Sequence, residues 1–145
     1  MPEKILRNTF TVPAPAQAAY DHLARPENYI GLSPLVVAVE DVRADSYVAV
    51  ERFRFLKLKY DNRIRVSLLG TPGRAVWGEV DSPGGVRMAY RFELTDTPDG
   101  ARIEDELRLR TPFGLMGFAA GQARKVQLAR AGILADRLGQ PQERP

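Results

Sequence analysis

The chain contains no cysteine and a single histidine, His22. Without thiols there is no disulfide scaffold, no thiol nucleophile, no Cys-ligated zinc and no iron–sulfur cluster. One imidazole cannot form a His-cluster metal site. No apolar run approaches the ~20 residues that a membrane-spanning helix needs. The opening MPEKILRNTF carries an acid early and lacks an apolar h-region, so no secretory signal is expected and the cytoplasm is the expected compartment. There is no Gly-x-Gly-x-x-Gly, P-loop or HExxH, and therefore no motif that asks for a nucleotide, metal or other cofactor. Lysine is scarce too: only four of the 21 basic residues are lysine. The arginines are scattered, and the one dense stretch (Arg52, Arg54, Lys57, Lys59, Arg63, Arg65) alternates with apolar residues. That pattern reads as the wet face of strands, and no nucleic-acid partner is expected.

What remains is 145 residues with 44% hydrophobic side chains and a net charge of +3. A chain of this size suits one domain with a real core. Residues 5–138 read as that domain, with polar tails at 1–4 and 139–145. Ile5–Val12 has the period of a strand, with Leu6, Phe10 and Val12 on one face and Asn8 between them. Pro13 and Pro15 stop it and suit the opening of a short helix over Ala16–Ala24. A second short helix is expected over Glu27–Leu32, ended before Pro34. From Leu35 the period becomes two. Strands are expected over Leu35–Val42, Tyr47–Phe55 and Leu58–Leu68, then through Trp77, through Val86–Leu94 and through Ala101–Leu109, with turns at Thr71–Gly73, Ser82–Gly85 and Thr97–Gly100.

Six consecutive strands after the first give an antiparallel sheet, wet on one face. The cover for the dry face is the C-terminal segment. Thr111 is placed to cap a long helix with Pro112 at its first position and Gly139 beyond its end. At ~100° per residue its inward line would be Leu115, Ala119, Val126 and Ile133, flanked by Phe118, Gln122 and Ala129. Gly114, Gly117 and Gly121 fall on its back. They read as close packing or a softened helix start, or else as a Gly-x-x-x-Gly surface for a homodimer or for docking on a membrane.

This order of elements, with the opening FTVPAPAQAAYDHLARPENYIGLSPLV and the closing TPFGLMGFAAGQARKVQLARAGILADRL, resembles the polyketide cyclase/dehydrase group of the START-like (SRPBCC) superfamily. The matching features are Phe10–Val12, the Pro13–Pro15 step, Tyr20 with Leu23, Pro34, and a long last helix. The resemblance implies an α+β helix-grip fold: a curved seven-stranded antiparallel sheet wrapped around the C-terminal helix, with two short helices after the first strand. It also implies a cavity for an apolar or amphipathic small molecule. Members range from aromatase/cyclases to lipid and quinone carriers, hormone receptors and ribosome-associated proteins, so fold does not choose function.

Polar residues on dry faces are the informative ones, because burying them unpaired costs on the order of 1–3 kcal/mol. Asn8, Glu51, Asn62, Glu79, Asp105 and Gln122 qualify. A hairpin with Leu56–Lys57 as its loop would set Glu51 opposite Asn62, Phe53 opposite Tyr60, Tyr47 opposite Val66 and Arg52 opposite Asp61. The resemblance implies that the first and last strands are adjacent, and Asn8 and Asp105 would then meet. Each couple either satisfies itself or offers contacts to a ligand in an apolar pocket. Trp77 would face Tyr90 across a four-residue turn, and Phe92 would join them as core or pocket wall. His22 is expected to face solvent. The expected ligand-binding set is therefore Tyr47, Glu51, Tyr60, Asn62, Trp77, Tyr90, Phe92, Asp105, Leu115, Phe118, Gln122 and Val126. The leading function is a carrier or sensor for a polyketide, lipid or quinone-like molecule. The alternatives are a polyketide aromatase/cyclase or dehydratase using Glu51, Asp105 or a tyrosine as acid or base, and a protein-interaction domain using the basic sheet face.

Overall fold

The computed structural model describes residues 2–55, 58–82 and 85–139. Strand β1 (Glu3–Val12) leads into helix α1 (Ala16–Leu23) and a 3-10 turn at Pro26–Tyr29. Seven strands follow: β2 (Val36–Glu40), β3 (Ser46–Phe55), β4 (Leu58–Ser67), β5 (Leu69–Thr71), β6 (Ala75–Asp81), β7 (Arg87–Thr97) and β8 (Gly100–Arg110). Helix α2 (Met116–Gly139) closes the chain. The sheet order is β1-β8-β7-β6-β4-β3-β2, antiparallel throughout, so the first and last strands are neighbours as the resemblance implied. Glu3 and Lys4, expected in a tail, pair with Arg110 and Leu109 and belong to β1.

The β3–β4 register is the expected one. Glu51 pairs with Asn62, Phe53 with Tyr60, Ala49 with Ile64 and Tyr47 with Val66, while Arg52 meets Asp61 outside. The Leu56–Lys57 loop itself lies outside the described residues. The strand expected to end at Leu68 is continued by β5, which makes the eighth strand. Arg65 pairs with Asp81, Val66 with Val80 and Leu69 with Trp77 on one unchanged offset. Between them the ladder breaks at Ser67–Leu68, where the Leu68 N–H turns to the Asp45 carbonyl. Gly78 sits opposite this break, and a Cβ there would overlap the Ser67 carbonyl oxygen. Glycine is what lets the two strands close at that point.

Two expectations fail, each for a local reason. The β6–β7 hairpin pairs Asp81 with Arg87, one residue longer than a four-residue turn, so Trp77 meets Arg91 and it is Gly78 that meets Tyr90. Val76, Gly78 and Val80 therefore face in, and Trp77 and Glu79 face out. Trp77 lies on the wet face under the Arg91 guanidinium, which stands 5.2 Å from its ring centre. The last helix starts at Met116 rather than after Thr111. A turn through Gly114, whose φ of +89° suits glycine, intervenes, and the Leu115 carbonyl takes the first helical bond from the Ala119 N–H. Thr111 is buried, caps nothing, and its hydroxyl has no partner among the described residues.

The inward face of α2 is rotated by about 100° from the expected line. Ala120, Gln127, Ala131 and Leu134 are buried, whereas Leu115 and Phe118 are exposed. The cause is composition. The helix is mostly alanine, glycine and arginine, so apolar spacing marks its faces weakly, and polar partners on the sheet decide the rotation. The core runs from Leu6, Val12 and Leu23 through Phe92, Ile103 and Leu109 to Leu134. α2 packs chiefly on β1 and β8, with α1 covering β7 and β8. Among the described residues no helix is long and apolar enough to cross a membrane.

Candidate functional site

The inner face has a sealed half and an open half. In the sealed half, Asp105 on β8 is fixed by Arg130 of α2, whose Nη2 donates to Oδ2 at 2.8 Å. Their side chains are only 1% and 11% exposed. The guanidinium also stacks 4.9 Å from the centre of the Phe92 ring, and such a contact gains strength away from water. One turn earlier Gln127 is fully buried. Its amide donates to the Leu6 and Asp105 carbonyls at 3.2 and 3.3 Å and accepts from Arg124 at 2.8 Å. Arg124 donates on to the Arg7 carbonyl. These bonds tie α2 across the β1–β8 seam, and they explain why a glutamine faces the sheet. Asp105 Oδ1 and Arg130 Nε are buried without a hydrogen-bond partner among the described residues.

The open half is the β3–β4 hairpin. Near the plug formed by α1 and the 3-10 turn its inner face is closed, with Tyr47, Ala49 and Ile64 buried and the Tyr29 and Tyr47 rings 6.2 Å apart. Toward the hairpin tip Glu51, Phe53 and Asn62 are half-buried, and Leu58 is exposed. Glu51 and Asn62 face each other across the ladder yet make no side-chain hydrogen bond to any described residue, and neither does the Tyr47 hydroxyl. Asn8 and Asp105 are likewise paired in register but not bonded, because Asp105 turns to Arg130. The remaining tyrosines are satisfied locally: Tyr29 donates to the Leu23 carbonyl at 2.7 Å and Tyr90 to the Ser67 carbonyl at 2.6 Å.

Electrostatics follows burial. Loss of water raises the Glu51 carboxyl above its ordinary value. Burial also raises the Tyr29, Tyr47 and Tyr90 phenols, which stay protonated. The Tyr47 phenol can donate a hydrogen bond, the Glu51 carboxyl can accept one, and the Asn62 amide can do either. Toward the hairpin tip the half-buried Glu51 and Asn62 side chains can therefore meet an oxygen-bearing group.

Of the residues expected to bind ligand, Tyr47, Glu51, Asn62, Tyr90, Phe92 and Asp105 line the inner face. The Tyr60 side chain lies outside the described residues. Gln122 and Val126 are half-buried on the flank of α2, whereas Trp77, Leu115 and Phe118 point away. Arg130, Gln127 and Tyr29 were missed. The signal for Arg130 was available, because a strand-centre Asp105 requires a cation from the helix that covers it. His22, expected in solvent, is half-buried. Its Nε2 lies 3.1 Å from Arg137, which also donates to the Asn28 and Ile30 carbonyls, and burial and that charge lower its pKa. A groove of about 350 Å³ lies over this contact. Another, of about 320 Å³, lies along Arg65, Asp81, Arg87 and Arg110. The outer-face arginines are largely ion-paired, Arg52 with Asp61, Arg63 with Glu40 and Arg87 with Asp81, which leaves little free charge for a basic docking face.

No protein-family model matches the chain, and no curated relative does. Solved structures do. The di-domain ARO/CYC protein BexL superposes with a TM-score of 0.74 at 13% identity over 97% of this chain, which spans about half (51%) of that longer protein. A START superfamily protein from Mycobacterium smegmatis gives 0.76 at 12% identity over 92% of this chain and 96% of its own. The ZhuI aromatase/cyclase from a Streptomyces species gives 0.68 at 18% identity over 94% of both chains. At such identities the shared property is the fold: the chain has the START-like helix-grip fold of these structures.

Proposed function

We propose that the chain binds an apolar or amphipathic small molecule, of polyketide, lipid or quinone-like kind, between α2 and the inner face of β3–β4, and serves as its carrier or sensor in the cytoplasm. The observation that supports this reading is the open half. Tyr47, Glu51 and Asn62 project from an apolar surface with no hydrogen-bond partner among the described residues. Binding sites for such molecules are mostly apolar with a few placed polar groups. The helix-grip fold supports the same reading, since a sheet wrapped on a helix that packs mainly against β1 and β8 leaves β3 and β4 to face a ligand.

Native mass spectrometry of the purified protein, followed by organic extraction, tests it. A defined co-purifying apolar molecule, weakened about tenfold or more by Tyr47→Phe with Asn62→Ala, is the expected result. Apo protein that binds neither hydrophobic dyes nor lipids would sink the reading.

One observation favours a second reading, an aromatase/cyclase or dehydratase activity. Glu51 has a carboxyl raised by burial with no cation bound to it, which suits a general acid. Glu51→Gln separates the two. A carrier keeps its ligand and shows no turnover with either side chain, while an enzyme loses turnover and keeps much of its binding.

A further inference from the structure

The three most exposed large apolar side chains among the described residues lie toward one end of the molecule, with Leu58 on the hairpin seven residues beyond Arg65. Phe113 is 95% exposed, Phe118 78% and Leu58 71%. Strand register puts them there. Arg65, Asp81, Arg87 and Arg110 stand level across β4, β6, β7 and β8. The β3–β4 hairpin, the β6–β7 turn and the segment into α2 therefore all leave the sheet on the same side. Gly85 and Pro112 confirm the proximity, since a Cβ on the glycine would stand 3.2 Å from the proline ring.

The patch continues down the back of α2. From Met116 to Ala135 the helix carries three basic residues and no acidic one. Arg124 and Arg130 are turned inward to the Arg7 carbonyl and Asp105. The outward residues are Gly117, Phe118, Gly121, Lys125, Leu128 and Gly132, all exposed, and a Cβ on any of the three glycines would point into open space. Lys125 here and Lys59 beside Leu58 make no ion pair with any described residue.

We infer that this end docks on an anionic lipid bilayer, with Phe113 and Phe118 entering the boundary between headgroups and acyl chains and Lys59 and Lys125 meeting lipid phosphates. Interfacial helices bind in this way, through apolar side chains on one face and cations that meet acidic lipid. Charge decides between a bilayer and a second copy of the chain. Between Met116 and Ala135 the back of α2 holds lysine and no carboxylate, so self-pairing along α2 would bring like charges together with nothing to neutralise them. Shape agrees, because the phenylalanines project from a turn and a first helical turn instead of lining a groove. The inference rests on exposure and charge alone. If the cavity reading also holds, docking brings the half-open Glu51–Phe53 end of the hairpin against the membrane, and an apolar ligand passes without crossing water.

Flotation of the full chain with vesicles tests it. The protein should float with equal parts phosphatidylcholine and phosphatidylserine, and far less with phosphatidylcholine alone. Phe113→Ser with Phe118→Ser should lower the partition coefficient at least about tenfold, since each phenyl ring removed from lipid is of that order. Lys125→Glu should lower it about fivefold or more, as should added salt. Both phenylalanines lie outside the core, so the circular dichroism melt and retention of any extracted ligand should be unchanged in the double variant. Absence of flotation with phosphatidylserine, or equal flotation of the double variant, overturns the inference. A dimer in light scattering that Phe118→Ser dissociates also overturns it and assigns the face to a second copy. A protein that floats but, once delipidated, takes up neither hydrophobic dyes nor single lipids would sink the cavity reading and leave this one standing.

Discussion

The two halves of the inner face spend their polar groups differently. Under α2, the Asp105–Arg130 pair and Gln127 are sealed from water and bound to one another and to β1 and β8 backbone. On β3–β4, Glu51, Asn62 and the Tyr47 hydroxyl sit on an equally apolar surface and are bound to nothing described. A sealed ion pair costs desolvation on both partners and is weak evidence for net stability, but removing one partner strands the other. The groups of the open half are unbonded but keep access to solvent, whereas Asp105 Oδ1 and Arg130 Nε of the sealed half are buried without a partner among the described residues. The sealed half thus orients the helix, and the open half waits for something to bind.

The sharpest break of this contrast is Asp105→Ala. It leaves Arg130 buried against Phe92 without its carboxylate, and unfolding free energy should fall by about 3–5 kcal/mol in urea titration. Replacing both partners together, as Asp105→Leu with Arg130→Met, should recover most of that loss, since similar apolar volume can replace a buried pair. If the single and double variants lose the same amount, the pair does not act as a unit and the sealed half has been misread.

Glu51→Gln should act in the opposite direction. Burial raises the folded-state pKa of Glu51, so the native protein holds this proton to higher pH than the unfolded chain does. Stability therefore falls as pH rises from the ordinary carboxylate value through the raised one, and the full cost is present above it. At neutral pH the glutamine variant should be the more stable of the two. Below the ordinary carboxylate value, where both states are protonated, the difference should vanish. Thermal melts across that range check it, and a glutamine variant that is less stable at neutral pH would mean that Glu51 has a cationic partner.

The same contrast explains what could be read in advance. Period-two alternation and the Glu51–Asn62 coincidence specify the β3–β4 register, because a one-residue slip would turn every apolar side chain outward. β1 beside β8, with Asn8 opposite Asp105, comes instead from the family resemblance, because nothing in the alternation itself says which strands are neighbours. Trp77 was misplaced because its apolar bulk suggested the dry side, while Val76 and Val80 with Gly78 between them form the true inner face. The rotation of α2 was not legible from apolar spacing, since its inward face is built from alanine and one glutamine whose partners are backbone carbonyls on distant strands. Long-range partners of that kind leave no local trace. The need of Asp105 for a cation was the one clue, and it pointed to Arg130.

The smallest effects come from two tyrosines that differ in one bond. The Tyr90 hydroxyl donates to the Ser67 carbonyl at 2.6 Å, across the point where the β4–β6 ladder breaks, so it replaces a lost backbone bond there. Tyr90→Phe should cost about 1 kcal/mol, the usual net worth of such a bond, and slightly more because the carbonyl loses an acceptor role in a buried place. The Tyr47 hydroxyl donates to no described residue, so Tyr47→Phe breaks no hydrogen bond among the described residues. Its stability should stay level or rise by a few tenths of a kcal/mol. Paired urea titrations of the two variants decide the matter, and ligand binding should show the reverse order, with Tyr47→Phe the more damaging. Equal losses of stability would mean that Tyr47 is spent within the fold, and the open half would then hold only Glu51 and Asn62 for a ligand.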